Sequence, residues 1–116
     1  MTDALSPRQW TLEGAREVLP DVRLRTEKAV SEVESLLARR DSEASNPSAA
    51  QEIQSEIRRA VGDWVRAMEA MGLEVKGLWL VDFDCGTGCY CWRWPEPKLE
   101  YFHDRDAGFD GRIRIQ

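Results

Sequence analysis

Three cysteines and the only histidine of the chain lie in its last third, where they form the pattern C-x3-C-x-C-x11-H. Thiolate sulfur and imidazole nitrogen are ligands that zinc prefers, and iron sites use them as well. The candidate metal ligands are therefore Cys85, Cys89, Cys91 and His103. The C-x2-C knuckle typical of structural zinc sites is absent from this pattern, so simple burial of the thiols is the alternative interpretation.

The turn sequence PEP at 95–97 controls which of these side chains can meet. Cys89 and Cys91 are two residues apart and would lie on the same face of a strand. A three-residue loop would pair Cys89 with His103, and a register moved by two residues would pair Cys91 with His103 instead. Thiol and imidazole share a face in either register, whereas a four-residue loop would separate them.

A second interpretation makes Cys91 a nucleophile. His103 would be the base that generates the thiolate, and Asp104 or Glu100 would orient the imidazole. The requirement is that the sheet places the thiol and the ring on adjacent strands and on one face.

Aromatic side chains are the third notable group, and they are denser in this region than one face of a small sheet requires: Trp79, Trp92, Trp94, Tyr101, Phe102 and Phe109. They either fill the core and cover the helices or form a recognition surface. Four cationic residues accompany them, two flanking the group and two able to line a pocket for a small anion: Arg93, Lys98, Arg112 and Arg114.

Composition limits the function classes. The chain has 116 residues and a net charge of -5, with 42% hydrophobic and 32% charged residues. A net negative charge argues against nucleic-acid binding and against docking on anionic membranes. The chain has neither an apolar run of roughly 18 residues nor a secretory signal pattern, so we expect a cytoplasmic protein with reduced thiols.

Two helices are predicted to position these residues. Thr11 can cap a helix whose apolar residues recur at three- and four-residue spacings as far as residue 41, and Pro20 ends it, kinks it or begins the next helix. A turn follows, in which Ser45, Asn46 or Ser48 can cap a second helix that runs to Met71.

The character of the chain then changes to short apolar and aromatic runs separated by glycine, proline and aspartate, which is typical of an antiparallel meander. The predicted fold class is α+β: a long, coiled-coil-like antiparallel helical hairpin followed by a small three- to four-stranded β-meander. We expect a single domain over residues 1–116, with 11–71 helical and 77–116 forming the β part.

A homodimer is expected from the dimensions of these parts. Helices of about 20 residues are about 30 Å long, and a small sheet covers only part of them. A second copy of the helical hairpin is the simplest cover for the remaining apolar stripe. In a monomer, the sheet alone would have to cover the whole stripe.

The order of these segments resembles the bacterial domain-of-unknown-function family 2203, whose members are short single-domain cytoplasmic proteins. The resemblance covers nearly the whole chain and depends on TLEGAREVLP, GLWLVDFD, CWRWPEP and YFHDRDAGFDGR. The family-like positions are Leu12, Ala15, Leu19, Pro20, Gly77, Leu80, Asp82, Phe83, Cys91, Trp92, Glu96, His103, Gly108, Gly111 and Arg112. Cys85 and Cys89 are not part of the family pattern, and the resemblance implies no activity.

The sequence therefore predicts a non-enzymatic cytoplasmic module for binding or assembly, which dimerises through its helices and presents an aromatic-rich β face to a protein or small molecule. No cofactor belongs to this interpretation. Its candidate binding residues are Cys91, Trp92, Glu96, His103 and Arg112. The alternative is a zinc- or iron-binding or thiol-dependent protein that uses Cys91 and His103.

Overall fold

The computed structural model describes residues 9–116 and has two long helices followed by five short strands. The first residues of the predicted domain, 1–8, lie outside the described residues. The elements are α1 (Leu12–Ser42), α2 (Pro47–Ala70), β1 (Glu74–Gly77), β2 (Leu80–Asp84), β3 (Gly88–Arg93), β4 (Tyr101–Asp104), a 3-10 helix (Phe109–Gly111) and β5 (Ile113–Arg114). The predicted α+β class is confirmed.

Helix α1 begins at the predicted cap, where the Thr11 hydroxyl accepts a hydrogen bond from the Gly14 amide at 3.0 Å. Of the outcomes that Pro20 left open, a break is wrong, because the helix continues through it to Ser42. Proline removes one helical hydrogen bond. Burial of Leu19 and Val22 on either side of it anchors both halves of the helix to the same core.

Helix α2 begins after Asn46, whose side chain accepts from the Ala49 amide at 3.3 Å, so Asn46 is the cap among the three predicted candidates. Pro47 occupies the first turn, where its missing N–H costs no helical hydrogen bond. The helix ends just before Gly72, which takes the left-handed conformation at φ 89°. The predicted stop is confirmed.

The sheet is a meander with strand order β1-β2-β3-β4-β5, and every pair is antiparallel. The sequence predicted three or four strands, and the structure has one more at the start. Strand β1 was missed because EVKG carries a single β-branched residue and lies at the edge of the sheet.

The two faces of the sheet have different surroundings. Val81, Phe83 and Trp92 are 0% exposed and pack with buried residues of both helices in the main core. The residues that alternate with them point the other way, away from the helices. The helical hairpin thus covers one face, and the candidate site lies on the other.

The far part of the hairpin has a core of its own, formed by Val33, Leu36, Ile53, Ile57 and Ala60 between the two helices. The dimer prediction assumed that this stripe needs cover from a second copy. Each of these residues is 8% exposed or less within one chain. The reason for expecting a homodimer is therefore weaker, and the dimer itself stays a prediction. Neither helix is long and apolar enough to cross a membrane, as judged over residues 9–116.

Candidate functional site

The register of β2, β3 and β4 brings three chemically different side chains together. Cys89 lies opposite His103, and Asp82 lies opposite Cys91. Of the two registers that the sequence left open, the structure has the one that pairs Cys89 with His103. Residues paired in this way point to the same face of the sheet, so Asp82 joins the thiols and the imidazole there.

His103 is held at both ring nitrogens. Its Nδ1 lies 2.7 Å from the carbonyl oxygen of Asp104, and its Nε2 lies 3.0 Å from Oδ2 of Asp82. A carbonyl oxygen can only accept, so Nδ1 carries a proton and donates it. The side chains of His103 and Asp82 are both 3% exposed, which removes this contact from solvent.

Cys89 completes a compact group with these two residues. Ligand atoms of Asp82, Cys89 and His103 all lie within 4.8 Å of one another, and all three residues are buried. Burial raises the pKa of the Cys89 thiol to about 11, and the negative charges of Asp82, Glu74 and Asp84 add to the effect. We call Asp82, Cys89 and His103 the polar triad.

Cys91 lies beside the triad, opposite Tyr101 rather than His103. Burial raises its pKa to about 12, with a contribution from the charge of Asp82. A nucleophilic thiol needs the opposite change, a lowered pKa. The local environment therefore gives no support to Cys91 as a nucleophile activated by His103.

Arg112 closes one side of this face. It donates to Glu96 through both terminal nitrogens, at 3.1 and 2.7 Å, and its Nη1 lies 3.8 Å from Sγ of Cys91. The guanidinium lies 4.0 Å from the ring centre of Tyr101 and 4.3 Å from that of Phe109. Arg112 thus connects the end of the 3-10 helix to the sheet beside Cys91.

Arg105 closes another side by pairing with the carboxylate of Asp84. Burial alone would raise the pKa of Asp84, but the hydrogen bond from the Gly86 amide and the Arg105 guanidinium outweigh it and lower the pKa. A cavity of about 290 Å³ lies against the triad, and its lining also includes Lys76 and Phe109.

The predicted site residues are thus divided. Cys89, Cys91, His103, Glu96 and Arg112 lie on or beside this face, whereas two others do not. Trp92 is in the main core, where its Nε1 donates to the Glu96 carbonyl at 2.8 Å. Cys85 lies in the turn after β2 and donates to the Gly88 carbonyl at 3.3 Å.

Asp82 belongs to the triad, although the sequence predicts it only as a family-like position. The available signal was its place in LVDFD, where aspartates alternate with Val81 and Phe83. Carboxylates at every second position of an apolar strand lie on one face of the sheet. If that face is buried, they need hydrogen-bond or charged partners there.

The fold is of the α+β class, with a helical hairpin over one face of an antiparallel meander, and in this chain the Asp–Cys–His group lies on the other face. The family model described as "Uncharacterized conserved protein (DUF2203)" matches residues 8–115, so the chain belongs to that family. This confirms the resemblance seen in the sequence. No curated protein and no solved structure matches the chain significantly. The family description names no activity, so a functional proposal depends on the geometry of the site.

Proposed function

We propose that this protein binds a zinc ion through Asp82, Cys89 and His103. The observation that carries the proposal is the convergence of a carboxylate oxygen, a thiol sulfur and an imidazole nitrogen within 4.8 Å at a buried position. Oxygen, nitrogen and sulfur ligands in one set suit zinc, which accepts all three.

The hydrogen bonds of His103 support this assignment. Because Nδ1 donates to the Asp104 carbonyl, a neutral imidazole presents the lone pair of Nε2 to Asp82. A carboxylate oxygen is also an acceptor, so the two atoms need a positive charge or a proton between them. Metal-bound histidines commonly donate their other N–H to a backbone carbonyl, which is the arrangement of this ring.

The second oxygen of Asp82 supports it independently. Oδ1 is buried and has no hydrogen-bond partner among residues 9–116. A buried carboxylate oxygen without a partner is costly, and such atoms are rare in folded proteins. A bound cation would satisfy this oxygen as well as the lone pair of His103.

The surrounding charge is also favourable. Asp82, Glu74 and Asp84 together oppose ionisation of Cys89 in the metal-free protein, and the same negative potential attracts a cation. Zinc with three protein ligands keeps a position for water or another ligand. The cavity of about 290 Å³ beside the triad gives room for such a ligand.

The test is elemental analysis of the full chain, purified without a metal-affinity tag and after exposure to zinc. We expect one zinc per chain in the wild type and in Cys85→Ser, and little zinc in Cys89→Ser or His103→Ala. Cys85→Ser is the matched control, because it removes a thiol of the same chain that lies outside the triad. Circular dichroism shows whether each variant is folded.

Two results would contradict the proposal. One is a wild-type protein that neither retains nor takes up zinc; the other is equal zinc loss in Cys85→Ser and Cys89→Ser. Stoichiometric iron in place of zinc would keep the site and change the metal assigned to it.

A further inference from the structure

A second cleft lies on the other side of the molecule, between helix α1 and the segment that leads into β4. It has a volume of about 570 Å³ and is lined by residues of both, including Leu19, Pro20, Pro97 and Leu99. Pockets of roughly 300–1,000 Å³ with a largely apolar lining are typical of small-molecule sites. The triad residues are not part of this lining.

The cleft collects cations that have no acidic partner. Arg16, Arg23 and Lys98 all line it, and none of them forms an ion pair within residues 9–116. Its acidic lining residue, Glu100, is paired with Arg114 at 3.3 Å. Three cations without an ion pair among the described residues therefore meet at one cleft of a chain whose net charge is -5.

Another cleft of this protein gives the contrast. It lies between α1 and α2 and brings Arg25 and Lys28 together with Asp21, Glu32 and Asp63. Arg25 is paired with Asp21 at 3.1 Å. In that cleft the carboxylates outnumber the cations, whereas in the cleft beside Pro20 the cations outnumber the carboxylates.

Two of the cations are already positioned. Arg16 donates from Nε and Nη2 to the Leu99 carbonyl at 3.2 and 3.0 Å, which holds its guanidinium against the loop. Arg23 lies with its guanidinium carbon 6.0 Å from the ring centre of Trp94, and its Nε is buried without a hydrogen-bond partner among the described residues. The cleft thus combines three positive charges with an apolar lining.

We infer that this cleft binds a small organic phosphate monoester, with its phosphate among Arg16, Arg23 and Lys98 and its apolar part against the exposed Pro20 and Pro97. Three cations suit a dianion better than a single carboxylate, and guanidinium groups match phosphate oxygens in geometry. A nucleic-acid backbone is a poorer fit, because the overall negative charge opposes it. This inference is independent of the proposed zinc site.

The experiment is a titration of the full chain with phenyl phosphate, followed by amide chemical shifts and carried out with EDTA so that bound metal does not contribute. We expect saturable shifts at Leu19, Arg23, Lys98 and Leu99. Arg23→Gln and Lys98→Gln should each weaken binding about tenfold, because each removes a charged hydrogen-bond donor. Arg59→Gln, an exposed α2 arginine that forms no ion pair within residues 9–116, should bind like the wild type.

Three results would overturn the inference: no saturation at millimolar phenyl phosphate, equal weakening in Arg59→Gln, or equal affinity for phenylacetate, which carries a single negative charge. Inorganic phosphate should bind more weakly than phenyl phosphate, and equal binding would contradict the role of the apolar lining. Co-sedimentation with vesicles of phosphatidylcholine and phosphatidic acid shows whether the cleft binds a lipid head group instead of a soluble ester. We expect no co-sedimentation, and co-sedimentation would overturn the assignment to a free ligand.

Discussion

The carbonyl oxygen of Asp104 fixes the ring of its neighbour His103 by accepting from Nδ1 at 2.7 Å. Because this bond involves the backbone of β4, the direction in which Nε2 faces is set by the strand and not by a mobile side chain. His103 therefore presents Nε2 to Asp82 without a search for the correct rotamer. Such preorganisation favours binding, because less freedom is lost when the ligand arrives.

Removal of zinc should lower the thermal stability of the protein. A ligand that binds only the folded state stabilises it, by about 3 kcal/mol at a concentration of roughly a hundred times its dissociation constant. We expect EDTA to lower the Tm of the zinc-loaded wild type by at least about 5 °C in scanning calorimetry. Cys85→Ser should respond in the same way, and Cys89→Ser should not respond. An unchanged wild-type Tm would argue against zinc as a stabilising ligand.

Loss of either partner in the Arg112–Glu96 pair should destabilise the fold. Their side chains are only 12% and 22% exposed, so each partner left alone keeps a poorly solvated charge. We expect Arg112→Met and Glu96→Gln each to lower the free energy of unfolding by about 1–3 kcal/mol. The double variant should lose less than the sum, as measured by urea denaturation. Arg114→Met, whose pair with Glu100 is exposed, should cost under about 1 kcal/mol.

The three thiols of the metal-free protein should react at different rates. Cys85 is partly exposed, whereas Cys89 and Cys91 are buried, with pKa values raised to about 11 and about 12. The thiolate is the reactive form, so a raised pKa means less of it near neutral pH. We expect mass spectrometry after brief alkylation to show Cys85 modified first. Reaction at Cys91 should be slower than at Cys85 near neutral pH and should rise steadily with pH, because its raised pKa of about 12 leaves little thiolate. Fast alkylation of Cys91 near neutral pH would revive the nucleophile hypothesis.

Trp92 should behave as a core residue and not as a ligand-binding one. It is fully buried among the helices and the helix-facing side of the sheet. Trp92→Ala should lower the free energy of unfolding by about 3–5 kcal/mol, because it leaves a large cavity. Trp92→Phe should cost less and keep the wild-type zinc content. A folded Trp92→Phe protein without zinc would place this residue in the site after all.

The homodimer can be tested directly by light scattering at micromolar concentration. A dimer has twice the 13.3 kDa mass of one chain. A measured mass of one chain would overturn the prediction from the helical stripe, and it would agree with burial of that stripe between α1 and α2.

Much of the fold could be predicted from the sequence, because local signals and the final packing agree there. Thr11 and Asn46 cap the helices as their side chains favour, and the helical spacing of apolar residues marks the buried faces. Pro20 could not be interpreted locally, since packing on both sides of it decides whether the helix continues. Strand β1 could not be predicted either, because its pairing with β2 and not its composition makes it a strand.

The candidate site was predictable only in part. Two β3–β4 registers were compatible with the sequence, and both place a thiol opposite His103 on one face, so only the structure assigns that position to Cys89. Asp82 comes from β2, whose register to β3 depends on a separate turn, and nothing in the spacing of the cysteines includes it. The triad needs the correct register at both the β2–β3 and the β3–β4 pairing, so no single segment of the sequence predicts it.

Alternation along β2 links correct folding to assembly of the site. Val81 and Phe83 face the helices, and Asp82 between them faces the triad. If β2 paired one residue out of place, the aspartates would enter the apolar core and Phe83 would be left in the polar cluster. A chain in that state loses its apolar core and separates Asp82 from Cys89 and His103 at the same time. A substitution on the triad face leaves the side chains of the helix-facing core in place. The residues of the site can therefore change while the core keeps its packing.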